Sequence, residues 1–331
     1  MTTDSQTQAH SQTEPGAHSA ALPTERGSLM KLATYASVAV ATFLIGIKLA
    51  AWLITDSVAL LSTMIDSLLD AGASIVTLLA VRQSLVPADQ DHRFGHGKAE
   101  PLAGLAQSAF IAGSAVFLMI EAVPRFLRPV PVQEEGIGMV VMVISIVITG
   151  LLVLFQRHVV RSTGSLAIGA DSAHYTGDVL INLSVIVSLV LASQLGLLWA
   201  DPLFAVGIAG YLCWTAWGIA TEAFDILMDR ELPEEDRETI LRIARDQPQV
   251  WSVHDLRTRS SGSTVFIQLH LEIDGTMPLS RAHAVADQVE NRLLKAFPDA
   301  DIIIHQDPKG IKESRHPDFA YESSEKQDGS K

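Results

Sequence analysis

The chain has 331 residues, 48% of them hydrophobic, with a formal net charge of −13 and a mean hydropathy of +0.27. Soluble proteins of this length rarely have a positive mean, so a membrane-embedded portion is expected. The acidic balance excludes the clustered Lys and Arg that a nucleic-acid partner requires. The single cysteine, Cys213, excludes an internal disulfide and a thiolate cluster, so any metal site must be built from His and carboxylate.

Residues 1–27 are polar and lack the apolar centre of a signal peptide, which predicts a disordered cytoplasmic tail. A helix needs about 20 mostly apolar residues to cross roughly 30 Å of hydrocarbon. Six stretches qualify: Leu29–Ile54, Ser57–Val86, Pro101–Phe126, Gly136–Val160, Leu166–Leu195 and Pro202–Phe224. Turn chemistry separates them at Thr55-Asp56, in the Pro87 to Gly97 segment, at Arg128-Pro129-Val130-Pro131, over Ser162 to Ser165, and at Asp201-Pro202. The loops after the second and fourth spans carry Arg82, Arg93, Lys98, Arg157 and Arg161, whereas the opposite side offers Arg125 and Arg128 followed by Glu134 and Glu135. That asymmetry places both termini in the cytoplasm. The expected organisation is a membrane domain over residues 28–230, a cytoplasmic metal-binding and dimerisation domain over 231–308, and a disordered tail over 309–331.

Charged groups in hydrocarbon cost about 2.5–3.5 kcal/mol each on insertion scales, so they mark function. The second span contains Asp66 and Asp70, and the fifth His174 and Asp178. Each pair is spaced i, i+4, which puts both side chains on one helix face. Facing helices would gather three carboxylates and one imidazole, a donor set that suits tetrahedral Zn²⁺. Three adjacent carboxylates cannot all stay ionised without the metal, so protons and metal compete for the same lone pairs, which is the chemistry of antiport. The alternative is a set of interhelical polar contacts. Lys48 is expected to snorkel towards an interface and Asp171 to lie near a helix end, neither as a ligand; Glu121 and Glu222 are placed close to span ends.

In the loop after the second span, Asp89, His92 and His96 follow one another at three and four residues. On a helical turn they would share a face, while Gly95 and Gly97 equally suit an irregular loop; Asp91 is an alternative to Asp89, and the bland reading is a solvated loop without metal. Beyond Pro233 the pattern predicts a helix over Glu234–Asp246, strands over Ser252–Arg259 and Thr264–Ile273, a helix over Ser280–Phe297 with Ser280 as N-cap, and a strand over Asp301–Gln306. This αββαβ order describes a small α+β, metallochaperone-like domain with helices on one face of a three-stranded sheet. His254, His270 and His305 lie on strands that can be neighbours, and Asp307 points with His305; a solvated sheet face carrying idle histidines is the competing reading.

The Asp-x-x-x-Asp and His-x-x-x-Asp pairs resemble the transport site of the cation diffusion facilitator family. The loop Pro87–Glu100, the run His254-Asp-Leu-Arg-Thr-Arg259 and the run Ile303-Ile-His305-Gln-Asp307-Pro308 resemble its YiiP-type bacterial zinc/iron-efflux branch, and the similarity extends over about residues 29–308. The resemblance implies a homodimer in the bacterial inner membrane, alternating access and proton-driven efflux. It implies metal at Asp66, Asp70, His174 and Asp178; a loop site at Asp89, His92 and His96; and a cytoplasmic binuclear site at His254, His270, His305 and Asp307, with His283 as a further ligand. It also implies a charge interlock between protomers through Lys98 and Asp229. Zn²⁺ would be substrate and regulatory ion, protons the counter-substrate, and Fe²⁺ or Cd²⁺ the alternative cargo. The absence of a Walker motif argues against ATP-driven pumping, and the absence of H-E-x-x-H against a membrane metalloprotease. A membrane-anchored sensor would leave the four intramembrane residues without purpose, and a passive channel would not respond to a proton gradient.

Overall fold

The computed structural model describes residues 23–127, 136–197 and 199–310. Six long apolar helices come first: α1 (Pro23–Thr55), α2 (Val58–Ser84), α3 (Ala99–Leu127), α4 (Gly136–Thr163), α5 (Leu166–Leu195) and α6 (Ala200–Leu227). Then follow α7 (Glu234–Arg245), β1 (Ser252–Ser261), β2 (Thr264–Ile273), α8 (Leu279–Ala296) and β3 (Ala300–Pro308). The chain divides into two compact units, one reaching Met228 and including Ser261–Ser263, the other formed by Asp229–Ser260 and the residues from Thr264 onwards.

In the first unit α3 packs along α6, α1 along α2 and α4, and α5 against α2, α3, α4 and α6. Lipid gives no hydrophobic drive between helices, so close approach depends on small residues. Ala33, Ala103, Ala115, Ala167, Ala209 and Ala223 are accordingly buried where large apolar residues such as Leu53, Phe117, Leu154, Trp214 and Trp217 are exposed. Gly177 shows the same constraint beside Asp178: a Cβ there would meet Leu212 Cδ2 of α6 at 2.8 Å. α5 starts where Ser165 caps it, its hydroxyl accepting from the Ile168 N–H at 3.3 Å and donating to Glu100 of α3. It ends at Gly196 in the left-handed region, φ 66°.

The second unit has one core, in which Ile240 and Ala244 of α7 and Ala282, Val285, Val289 and Leu293 of α8 cover Ile267, Leu269, Leu271 and Ile273 of β2. The sheet order is β1-β2-β3, with β2 and β3 parallel and His270 opposite His305. The alternation of β2 thus puts its aliphatic residues under the helices and Gln268 and His270 on the other face.

Several expectations need correction. α1 begins at Pro23 rather than near residue 28; Glu25 complements the N-terminal dipole of its first turn, and the Ser28 hydroxyl bonds back to the Glu25 carbonyl at 2.8 Å. Ser280 is not an N-cap: α8 is entered from Pro278 and Ser280 lies inside the first turn. Lys309 belongs to the sheet rather than the tail, since its N–H donates to the Ile273 carbonyl at 2.8 Å. Lys48 does not snorkel; its ammonium turns to α2 and donates to the Thr63 carbonyl at 3.1 Å and the Ser67 hydroxyl at 2.6 Å. Arg128, the Pro129–Pro131 turn, Glu134, Glu135, residues 1–22 and residues 311–331 lie outside the described residues.

Candidate metal centres

The i, i+4 spacing of α5 presents His174 and Asp178 to α2, where Asp70 meets them. His174 Nε2 donates to Asp70 Oδ1 at 3.0 Å and lies 3.9 Å from Asp178 Oδ2. One ligand atom from each of the three residues falls within 4.8 Å of the others, and His174 is only 9% exposed. Asp66 stands one turn from Asp70 on α2 and is exposed, outside that three-residue group. Nε2 is the atom that a divalent ion and a proton would both claim.

Asp171, one turn before His174, is 1% exposed and is held from three other helices. Its carboxylate accepts from Gln156 Nε2 of α4 at 2.7 Å, Ser74 Oγ of α2 at 3.2 Å and Gln107 Nε2 of α3 at 3.4 Å. Gln156 also reaches Ser37 of α1 at 2.9 Å, and Ser74 shares a 2.8 Å bond with the Tyr175 hydroxyl. Five helices therefore meet in one polar cluster beside His174. Asp171 does lie near the start of α5, as its sequence position suggests, yet it is enclosed rather than peripheral. The two span glutamines were the available signal.

The loop residues converge without a helix. Asp89 Oδ1 accepts the backbone N–H groups of His92 at 2.6 Å and Asp91 at 3.0 Å. The first of these chiefly, with the second, holds the Asp89 carboxyl below the usual carboxylate range. His92 Nδ1 is 3.5 Å from Asp89 Oδ1, and His96 Nε2 is 3.4 Å from Asp89 Oδ2. Gly95 supplies the turn at φ 78°, so the irregular-loop alternative is the one adopted.

In the second unit Asp307 is the common partner of three imidazoles. Its carboxylate lies 2.9 Å from His270 Nδ1, 3.3 Å from His254 Nε2 and 3.1 Å from His305 Nε2. His254, His270 and Asp307 form the compact group, with His305 stacked 4.6 Å from His270. Two acids not singled out in the sequence also face this cluster: Asp255 is 3.7 Å from His270 Nε2, and Glu272 is 3.9 Å from His254 Nδ1. Glu272 was legible, being two residues after His270 on the same strand face. Asp255 depends on a positive φ of 49°, which sequence does not announce. His283 stands apart on α8, 3.6 Å from Asp287. Asp229 accepts from Arg259 at 3.3 Å, and Lys98 donates to the Leu227 carbonyl at 3.4 Å.

The donor sets are imidazole and carboxylate throughout, which suits borderline and hard divalent ions. Residues 34–228 match the family model described as the cation efflux transmembrane domain, and residues 232–309 the cytoplasmic domain of cation efflux proteins. The chain belongs to the cation diffusion facilitator family. It is 50% identical over 283 residues to the cation-efflux pump FieF of Shewanella oneidensis, covering 86% of this chain and 95% of that one. With the pump of the same name from Klebsiella pneumoniae it shares 49% over 285 residues at the same coverage. Solved structures similar to it include the zinc form of the putative zinc transporter CzrB, 34% identical over 26% of this chain and 98% of that one, with a TM-score of 0.25. Another is the metal-bound C-terminal domain of CzcD from Thermotoga maritima, 30% identical over 24% of this chain and 93% of that one, TM-score 0.23. This cation-efflux protein is thus a multi-pass membrane transporter and not an enzyme.

Proposed function

We propose that the chain exports a divalent transition metal across the bacterial inner membrane by exchange for protons, with Zn²⁺ as the cargo its donors suit best. The observation that carries this reading is the meeting of Asp70, His174 and Asp178 inside the helical bundle, where one imidazole nitrogen faces two carboxylates. Asp66 completes the set as the fourth ligand, one turn away on α2. The imidazole favours Zn²⁺, Cd²⁺ or Fe²⁺ over Mg²⁺. Relatives named as cation-efflux pumps are consistent with export of a metal cation. The basic loops put both termini in the cytoplasm. A homodimer clamped by Lys98 and Asp229, with metal at the Asp89/His92/His96 loop and at the His254/His270/His305/Asp307 cluster reporting cytoplasmic supply, completes the proposal; His283 would join only from outside that cluster.

The test is zinc movement in proteoliposomes under an imposed pH gradient. Flux should rise with the proton gradient and vanish in Asp70→Ala and Asp178→Ala. Flux that ignores the gradient, or survives those substitutions, refutes the exchange reading.

A further inference from the structure

Lys48 is an ionisable residue of a membrane span that the site above does not use. Its position on α1 leaves seven residues to the helix end at Thr55, yet the side chain turns sideways to α2. The two groups it grips, the Thr63 carbonyl and the Ser67 hydroxyl, bracket Asp66 on α2. Ser67 precedes Asp70 by three residues, and neighbours at that spacing lie about 5–6 Å apart at Cβ. The ammonium is therefore held in a fixed place beside the α2 carboxylates, close enough to act electrostatically on Asp70, Asp178 and Asp66. Among the described residues Lys48 has no ion pair within 4 Å of its ammonium, so its charge is not neutralised by a dedicated partner; its two bonds are to a carbonyl and a hydroxyl.

A helix tether alone needs only a donor, and a neutral amide would serve at less cost in hydrocarbon. A positive charge there has a further consequence: it repels a divalent cation at the carboxylates and partly compensates those carboxylates when the cation has left. We infer that Lys48 is a built-in counter-charge that weakens metal binding at the Asp70/His174/Asp178 site and so speeds release. The inference rests on the proposed metal role of that site. Three carboxylates, a divalent ion and one ammonium leave no net charge in the loaded cluster, so the metal is held without a surplus of attraction.

Coulomb repulsion between a unit charge and a nearby divalent ion is large enough to change affinity by about tenfold or more. Zinc flux and equilibrium zinc binding should be measured on the full chain for wild type, Lys48→Gln, which keeps donors without charge, and Lys48→Arg, which keeps the charge. The expected result for Lys48→Gln is a half-saturating zinc concentration lowered about tenfold together with a lower maximal flux. Lys48→Arg should resemble wild type in both. A purely structural tether predicts the reverse, weaker or unchanged binding in Lys48→Gln, and that outcome overturns the inference. Should Lys48→Gln carry no flux, the binding difference between it and the double variant with Asp70→Asn decides, because that difference isolates the intramembrane site from the loop and cytoplasmic clusters. If Asp70→Asn alone leaves the intramembrane share of zinc binding and flux intact, the proposed metal site fails; if it removes them while Lys48→Gln binds as wild type, only the counter-charge fails.

Discussion

Asp171→Asn and Asp171→Leu separate two uses of a buried carboxylate beside the site: holding α5 in place and carrying charge. Asp171 accepts one short bond, from Gln156 at 2.7 Å, and two long ones, from Ser74 at 3.2 Å and Gln107 at 3.4 Å. Every one of these donors has a second partner: Ser37 for Gln156, Tyr175 for Ser74, and Thr77 at 3.0 Å for Gln107. Leucine therefore removes three hydrogen bonds and leaves one Gln156 N–H without an acceptor, since that amide nitrogen gives one hydrogen to Asp171 and the other to Ser37. Interhelical bonds in a bilayer average about 0.6 kcal/mol and reach about 1.7, so the loss of three lies between about 2 and about 5 kcal/mol. Taking a carboxylate out of hydrocarbon returns about the same amount on insertion scales. Asn fares as well by another route: its Oδ1 still accepts, and its Nδ2 can donate to Gln156 Oε1, which is buried without a partner. Both variants should melt within a few degrees of wild type, so stability does not discriminate and transport does. Asn keeps the polar clamp one turn before His174, and flux should stay within about threefold of wild type. Leu releases it, and a misplacement of about 1 Å at a reacting group costs up to about 100-fold, so a loss of at least tenfold is expected. Zinc flux in proteoliposomes beside a thermal melt in detergent reads both. Wild-type flux in Asp171→Leu, or equal damage in both variants at equal melting temperature, refutes the clamp.

His174→Asp replaces the one nitrogen donor of a site otherwise made of oxygens, with the shorter side chain drawn back from Asp70 and Asp178, now 3.0 and 3.9 Å away. Competition flux should shift from zinc towards cadmium and manganese, and an unchanged zinc-to-cadmium ratio would sink the claim that the imidazole sets selectivity. Asp274, in the turn between β2 and α8, accepts the Thr276 N–H at 2.9 Å and its hydroxyl at 2.8 Å, which together hold its carboxyl below the ordinary value of 3.8. A depressed folded value means that the stabilisation is complete above the unfolded pKa and is lost as pH falls through the folded one. Asp274→Ala should lower the second unit's melting temperature near neutral pH and converge on wild type as pH falls below the ordinary carboxylate value, as followed by circular dichroism of the full chain. A difference that persists undiminished in acid contradicts this.

What the sequence makes legible depends on how locally each feature is determined. α5 and β2 fall at the expected residues because their limits are set by their own chemistry: the Ser165 cap and Gly196 for one, strict two-residue alternation between turns for the other. The intramembrane acids and histidine are likewise legible, since their cost in hydrocarbon and their i, i+4 spacing need no partner to be recognised. Which helices face each other is a different matter. Lys48 looks like a snorkelling residue from its distance to the helix end, and only the packing of α1 on α2 brings Thr63 and Ser67 within reach. Asp171 looks peripheral because it is near the start of α5, whereas its donors come from α2, α3 and α4. Asp255 requires a left-handed backbone within a strand, a conformation no residue type at that position announces.

The clusters share one chemical device, an imidazole nitrogen facing a carboxylate oxygen, yet burial gives them different capacities. At His92, whose side chain is 62% exposed, a displaced proton passes directly to solvent. Metal there follows bulk pH and concentration and can store no gradient. His174 is 9% exposed inside the bundle, and its Nε2 lies 3.0 Å from Asp70 Oδ1. A proton displaced there must leave by whichever side the site is open to, as must the metal that replaces it. On the proposed reading, coupling of the two fluxes follows from competition for one lone pair within an enclosed site. On the proposed reading this is why the intramembrane cluster, and not the more accessible loop or the cytoplasmic cluster around Asp307, is the one that can convert a proton gradient into metal efflux.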